Sequence, residues 1–438
     1  MSSSLELHPH VSEAFSKHLG LFATPKGAHL LDRTQPLGEW LDLRAELNTW
    51  PYARTLHGRP ATETVLQSQN ERRVAGMNFG SQDYLGLSQH PAILTAAKDA
   101  LDEFGPHAAA SPMLQGNTIP GRRLENALAE TLETEHVLLF PTGWAAGFGT
   151  ITGLVRPSDS IVIDQLSHAC LMQGARAATQ NVYLFRHNDV EALRHRLSRI
   201  RAKDAENAIL VVSEGLFSMD SDTPAIEAMQ TVCREFGAVL MMDVAHDFGA
   251  TGPGGTGQIG IQRMLGKVDL VMGSFSKTFS SNGGFVATNN RAARQFLGIY
   301  GGTHIYSNGI SPVQSAVALE ALRIVRSEEG ALLREQSFDN ILRLRAGFES
   351  RGIECLGNPS NVVPVMCGDE TVAKITARLL EESGLIANLV EYPAVPRERA
   401  RFRFQIMATH TEAQIDRAVA VFERCLDEAR SASALRER

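Results

Sequence analysis

Between Val137 and Thr288 the chain alternates short apolar runs with longer stretches of helical character, and this rhythm limits the possible folds more than any other feature of the sequence. The runs lie at 137–140, 161–164, 182–185, 209–213, 239–243, 270–273 and 284–288. Most are apolar nearly throughout rather than at every second position. That is the composition of strands covered on both faces, because a strand with one wet face alternates polar and apolar residues. Strands separated by helical segments pair in parallel, each helix returning the chain to the start of the next strand. The expected fold is therefore α/β, a mainly parallel seven-stranded sheet covered by helices. None of the runs approaches the roughly 20 apolar residues needed to span a bilayer.

At 438 residues the chain exceeds a single core, since a domain takes about 100–200 residues. Residues 1–75 are rich in polar residues, histidine and proline with weak helical spacing, as in Val11-Ser12-Glu13-Ala14-Phe15, and read as an N-terminal arm. Residues 76–305 carry the alternating pattern and form the large domain. Residues 306–438 form a smaller C-terminal α+β domain, with a helical stretch after Ser311-Pro312, strands near 362–366 and 401–406, a helix at 371–383 and an amphipathic helix from about Glu412. A formal net charge of −7 with no Lys/Arg run leaves no basic surface for nucleic acid. Cys170, Cys233, Cys355, Cys367 and Cys425 have neither metal-ligand nor disulfide-framework spacing and read as reduced thiols. No basic-then-apolar leader pattern is present, so a soluble cytoplasmic protein without a metal is expected.

The chemistry gathers where the predicted strands end. Asp243 closes the run at 239–243, and open α/β sheets keep their sites at the carboxyl ends of their strands. Lys277, in Gly273-Ser274-Phe275-Ser276-Lys277-Thr278-Phe279, follows the next run and looks like the Schiff-base lysine of a pyridoxal-phosphate (PLP) enzyme. Such an enzyme needs a lysine for the aldehyde and an acid to keep the pyridine nitrogen protonated, so that the ring can accept electrons. A carboxylate and a pyridinium at contact distance each favour the charged form of the other. Pro141-Thr142-Gly143-Trp144 passes from a strand into a helix, where backbone N–H groups and the helix dipole suit a phosphate. Ser274 is placed to join it. His168, past another strand end, is a candidate to stack on the ring and polarise a carbonyl. His246 and Ser218 are candidates near the ring's phenolic oxygen.

Asp83-Tyr84-Leu85-Gly86-Leu87-Ser88, Thr142-Gly143-Trp144, His168-Ala169, His187-Asn188-Asp189, Glu214-Gly215-Leu216-Phe217-Ser218-Met219-Asp220, Asp243-Val244-Ala245-His246, Ser274-Phe275-Ser276-Lys277 and Ala408-Thr409-His410-Thr411 closely resemble, in order, the motifs of the α-oxoamine synthases. That family condenses an amino acid with an acyl thioester, in most members with loss of CO2. The resemblance implies a PLP-dependent transferase of fold type I, like the class II aminotransferases, acting as an acyltransferase. It makes Lys277 the Schiff-base lysine and proton carrier, Asp243 the partner of the pyridine nitrogen and His168 the stacking residue. His246 and Ser218 would hold the phenolic oxygen. Gly143, Trp144 and Ser274 would hold the phosphate, joined by Asn308 from the neighbouring subunit of a homodimer. Arg403, in Arg401-Phe402-Arg403-Phe404, matches the arginine that grips the substrate carboxylate, a task its planar fork suits. The implied partners are a small amino acid (glycine, alanine or serine) and an acyl-CoA or acyl-carrier-protein thioester.

This chain departs from the family pattern at Gln82 and Gly147, where many relatives carry asparagine, and at Gly121, where they carry histidine. Ser276 to Phe285 looks most like serine palmitoyltransferase, whereas Tyr392-Pro393-Ala394-Val395-Pro396 is closer to the glycine-using members, so the amino acid stays open. Two other readings stay open as well. One is a different PLP reaction on the same fold, such as transamination or aldol cleavage. The other is a non-catalytic subunit of a heteromeric synthase.

Overall fold

The computed structural model describes residues 9–434. They divide into two compact units, one of Gln82–Gln336 and one that joins the described residues up to Ser81 to those from Ser337 onward. The sequence reading drew its lines at 75/76 and 305/306. The second division lies instead inside the helix Glu328–Glu349, where helical spacing continues and no turn signal marks it.

The unit of Gln82–Gln336 holds a seven-stranded sheet. Its strands in chain order are β1 (His136–Phe140), β2 (Ser160–Asp164), β3 (Val182–Phe185), β4 (Ile209–Glu214), β5 (Val239–Asp243), β6 (Leu270–Ser274) and β7 (Gly284–Thr288). All seven expected strands form, each within one residue of its expected ends. The spatial order is β1-β7-β6-β5-β4-β2-β3. β2, β3, β4, β5 and β6 pair in parallel, and β7 alone runs antiparallel, between β1 and β6. β2, β4 and β6 are buried along their whole lengths, which is why their sequences carry no alternation. β3 is an edge strand and only half-buried.

Helices Gly143–Leu154 and Ala169–Ala178 pack on this sheet. Ile151, Leu171 and Ala175 share a core with Ile161, Ile163, Met241 and Met272. The two helices meet closely at Gly174, where a Cβ would lie 3.2 Å from Cα of Phe148. Because helix Gly143–Leu154 begins almost at the end of β1, its packing fixes the turn Thr142-Gly143 against the sheet edge.

The other unit is α+β. The strands Thr55–His57, Glu63–Gln67 and Arg73–Asn78 form an antiparallel meander, extended by Leu385–Ile386 in parallel. A second sheet orders Val362–Gly368, Ala400–Gln405 and Asn388–Val390, all antiparallel. Phe348, Phe402, Phe404 and Phe422 form its aromatic core by edge-to-face contacts. The stretch read as an arm therefore contributes helices Pro9–Ser16 and Gln35–Glu46 and three strands to this unit. Among the described residues, no helix is long and apolar enough to cross a membrane, and all five cysteines are free.

The N-terminal stretch is tied in by a buried ionic cluster centred on Glu391. Its carboxylate lies 3.2 Å from Nη1 of Arg44, 3.5 Å from Nζ of Lys374 and 3.2 Å from the Tyr52 hydroxyl. Arg44 is wholly buried, 5.0 and 5.1 Å from the rings of Trp40 and Trp50. Lys374 also donates to the carbonyls of Phe15 at 2.8 Å and Lys17 at 2.9 Å. Burial depresses the Lys374 pKa, and the Glu391 carboxylate opposes that fall. Removing the anion would strand two buried cations. Glu391→Ala is therefore expected to destabilise the chain by about 3–5 kcal/mol, read as a lower midpoint in urea denaturation of the full chain. An unchanged midpoint would show that the cluster contributes nothing.

Candidate active site

β1, β2, β4, β5 and β6 run one way and β7 runs against them. Their carboxyl ends and the amino end of β7 therefore share one edge of the sheet. A cavity of about 290 Å³ opens there. Gly143 and Trp144 after β1, His168 after β2, Glu214 at the end of β4, Asp243 and His246 from β5, and Ser274 and Lys277 from β6 all line it.

One end of the cavity is built for an anion. Thr142 caps helix Gly143–Leu154, its hydroxyl accepting the Ala145 N–H at 3.0 Å. The first N–H groups of a helix have no intrahelical acceptor, and its dipole favours negative charge there. Oγ of Ser274 lies beside them, 2.8 Å from Oγ of Ser276. A Cβ on Gly143 would sit 2.5 Å from the Ser274 hydroxyl, and one on Gly284 would sit 2.7 Å from Cα of Gly143. Glycine at both positions lets the turn close on the strand ends beside the Ser274 hydroxyl.

The other end carries the acids. Asp243 and Glu214 are register partners on neighbouring strands and are only 6% and 3% exposed. Burial raises both carboxyls; the charge of Asp243 pushes Glu214 further, well above the usual range, while Lys277 pulls Asp243 back down. A carboxylate buried to this degree is stable only with a cation beside it, and a protonated pyridine nitrogen is such a cation. Asp243 is also oriented by the Ala245 N–H, 2.9 Å from its Oδ1.

His168 forms a side wall. Its ring stands edge-on to Trp144, centroids 6.1 Å apart at 75°, and its main-chain N–H donates to Glu214. His246 is buried, with Nδ1 2.9 Å from the Tyr84 hydroxyl. With a lysine, a buried anion, two imidazoles and an anion cradle around one cavity, the residues present fit PLP. Among the described residues, no group of His, Cys, Asp and Glu could hold a metal ion.

A second layer holds these loops in place. His187, after β3, has Nδ1 2.9 Å from Oδ1 of Asp164 and Nε2 2.7 Å from Oδ2 of Asp222. Both ring nitrogens face carboxylate oxygens, so both carry hydrogen and the ring is an imidazolium. It joins the loops that follow β2, β3 and β4. Asp164 also accepts the N–H groups of Leu166 and Asn188, each at 2.9 Å. The motif Asp83 to Ser88 does comparable work, since Asp83 accepts from Leu87 N at 2.9 Å, Ser88 N at 3.0 Å and the Ser280 hydroxyl at 3.2 Å. It thereby tethers the loop that carries Lys277.

Three predicted site residues do not line this cavity. Ser218 is half-buried in the loop after β4, and Asn308 is exposed after the short helix Gly302–Ile305. Arg403 is buried in the strand Ala400–Gln405 of the other unit, in register with Pro364 and Asn388. Conversely, Tyr84, Cys170 and Glu214 touch the site or its walls with no role assigned from sequence. Tyr84 and Glu214 stand in quoted motifs, so their polar groups were visible. What was missing was the long-range partner of each.

The family model for aminotransferase class I and II matches residues 74–422. Serine palmitoyltransferase of Sphingobacterium spiritivorum is 34% identical over 370 residues, covering 84% of this chain and 90% of that protein. The 8-amino-7-oxononanoate synthase of Thermoanaerobacter pseudethanolicus is 32% identical over 366 residues, covering 82% and 91%. Among solved structures, Sphingomonas wittichii serine palmitoyltransferase superposes with a TM-score of 0.85 at 30% identity, over 92% of this chain and 99% of that one. A serine palmitoyltransferase with its PLP internal aldimine gives 0.84 at 29%, with the same coverage.

The His187 clamp makes stability depend on pH. Burial opposes its charge, but the hydrogen bonds to Asp164 and Asp222 outweigh that and push its pKa up to about 10, from about 6.5 in an unfolded chain. A raised folded pKa stabilises fully below about pH 6.5 and loses that contribution as the pH climbs through 10. The stability gap between the natural chain and His187→Asn, read by urea denaturation, is expected to be widest at pH 6 and to shrink steadily toward pH 10. A gap independent of pH would rule out the imidazolium.

Proposed function

The chain belongs to the α-oxoamine synthases of the class I and II aminotransferase family and uses PLP, and on that premise we propose that it condenses a small amino acid, glycine, alanine or serine, with an acyl thioester. The acyl carrier is coenzyme A or an acyl carrier protein, the amino acid's carboxylate leaves as CO2, and the product is an α-aminoketone. The observation that carries this reading is the convergence of Lys277, Asp243 and His168 on one cavity that ends in a glycine-built anion cradle. A non-catalytic subunit has no use for a lysine and a buried acid held together in this way.

Bound there, PLP supplies an electron-withdrawing ring that stabilises negative charge at the amino acid's Cα. The residues do the rest. Gly143, Trp144 and Ser274 take the phosphate, and Asp243 holds its charge against the ring nitrogen. His246, steadied by Tyr84, donates toward the phenolic oxygen, with Ser218 as second donor. Nζ of Lys277 removes the Cα proton and later returns one. His168 donates a hydrogen bond to the acyl oxygen as negative charge develops on it. Arg403 keeps, by family resemblance, the task of holding the substrate carboxylate. Asn308, exposed, serves the phosphate of the other copy in a homodimer.

Free-thiol release tests the reading. Glycine, alanine and serine, each offered with a short and a long acyl-CoA, are expected to give thiol with at least one pair, and Lys277→Ala to lower that rate at least about 10²–10⁴-fold. Formation of a keto acid with no thiol from any CoA or carrier-protein donor would replace condensation by transamination. The anion cradle has its own test. Gly143→Ala places a methyl against Ser274, so PLP retention, followed by absorbance through equilibrium dialysis, is expected to drop at least about tenfold while the fold's circular dichroism is unchanged. Undiminished retention would move the phosphate elsewhere.

A further inference from the structure

Helix Ala169–Ala178 starts against the ring of His168, and its first turn decides where that ring carries its proton. The Cys170 N–H donates to Nδ1 of His168 at 3.3 Å, and Sγ of Cys170 lies 3.0 Å from the same nitrogen. A backbone N–H can only donate, so Nδ1 presents a lone pair. The thiol then donates as well, and it keeps its hydrogen because burial, followed by the charges of Asp243 and Glu214, raises its pKa. A neutral imidazole whose Nδ1 accepts carries its hydrogen on Nε2.

The sulfur sits where a side chain at position 147 would begin. A Cβ at Gly147, where many relatives carry asparagine, would lie 3.0 Å from Sγ of Cys170 and equally close to side-chain carbons of Leu171 and Met272. The glycine at 147 and the sulfur at 170 are therefore complementary. The cysteine lines the cavity and is only 1% exposed, so its thiol is part of the site's wall.

We propose that Cys170 is a positioning residue whose thiol and N–H hold His168 in the Nε2–H form, making the ring a hydrogen-bond donor to the acyl oxygen. The inference rests on the reading of His168 given above. It makes His168 a donor throughout the reaction and leaves proton removal from Cα to Lys277.

The ring can be observed directly. In holoenzyme labelled with 15N-histidine, the His168 signals, assigned by their loss in His168→Asn, are expected to show a bare Nδ1 and a protonated Nε2. In Cys170→Ala they are expected to shift toward a mixture of tautomers. The same variant is expected to lower kcat for thiol release about tenfold, the effect of one lost hydrogen bond, with KM for the amino acid unchanged. Cys170→Ser, which restores an O–H donor, is expected to recover both. A protonated Nδ1 in the natural enzyme, or ring signals unmoved in Cys170→Ala, would overturn the proposal. Should no acyl donor release thiol, the condensation reading fails while the ring signals still decide the role of Cys170. Should Cys170→Ala fail to fold, the natural enzyme and Cys170→Ser decide it alone.

Discussion

A carboxylate held 6% exposed must find a cation or give up its charge, and the site is arranged around that constraint at Asp243. The parallel register sets Glu214 beside it, a second buried acid whose carboxyl is raised well above the usual range by burial and by the charge of Asp243. Lys277, from the next strand end, supplies a positive influence from within the chain. A protonated pyridine ring, if bound in the cavity these residues line, would complete the balance. The apolar strands make this possible, because β4, β5 and β6 are buried up to their last residues and keep water from solvating the acid. The same burial that drives the sheet together thus prepares its edge for a protonated ring.

Holding several loops at that edge is the second problem, since each could move independently. The structure ties them with charge as well as with apolar contacts such as that of Phe217 against His187. One imidazolium at His187 joins the loops after β2, β3 and β4 through Asp164 and Asp222, and Asp83 joins the segment around Leu87 to the loop of Lys277 through Ser280. Hydrogen bonds to ionised groups are stronger and more directional than neutral ones. They suit loops that must hold a ring and a phosphate in fixed relation. His187 and Asp83 do not touch the cavity; what they hold are the loops around it.

The sheet was legible because its strands are continuous apolar runs bounded by turns, a signal local to a few residues. The site followed from it, since Gly143, His168, Asp243 and Lys277 each lie just past such a run. Pairings over long separations were not legible. Tyr84 meets His246 across 162 residues, and nothing in either neighbourhood encodes the other. Glu214 and Asp243 become neighbours only through register. The first 75 residues showed only weak helical spacing because the strands Thr55–His57 and Glu63–Gln67 are short and largely exposed or half-buried, without an apolar run to announce them. The residues before them are tied into the second unit through Glu391, far along the chain from its partners Arg44 and Tyr52.

The two departures to glycine bear on what distinguishes this chain within its family. Losing a histidine at 121 or an asparagine at 147 would enlarge a binding pocket only if the surroundings stayed apart, and they do not. Gly121 is buried, with Thr118 Oγ1 3.2 Å and Leu139 and Ser315 3.7 Å from where a Cβ would be, and the cavity beside it measures about 20 Å³. That is room for about one water molecule, not for the methylenes of a longer acyl chain. At Gly147 a Cβ would lie 3.0 Å from side-chain atoms of Leu171, Met272 and Cys170. Neither glycine lines the cavity at the strand ends, and around both the packing is tight, so neither position adds room to that cavity.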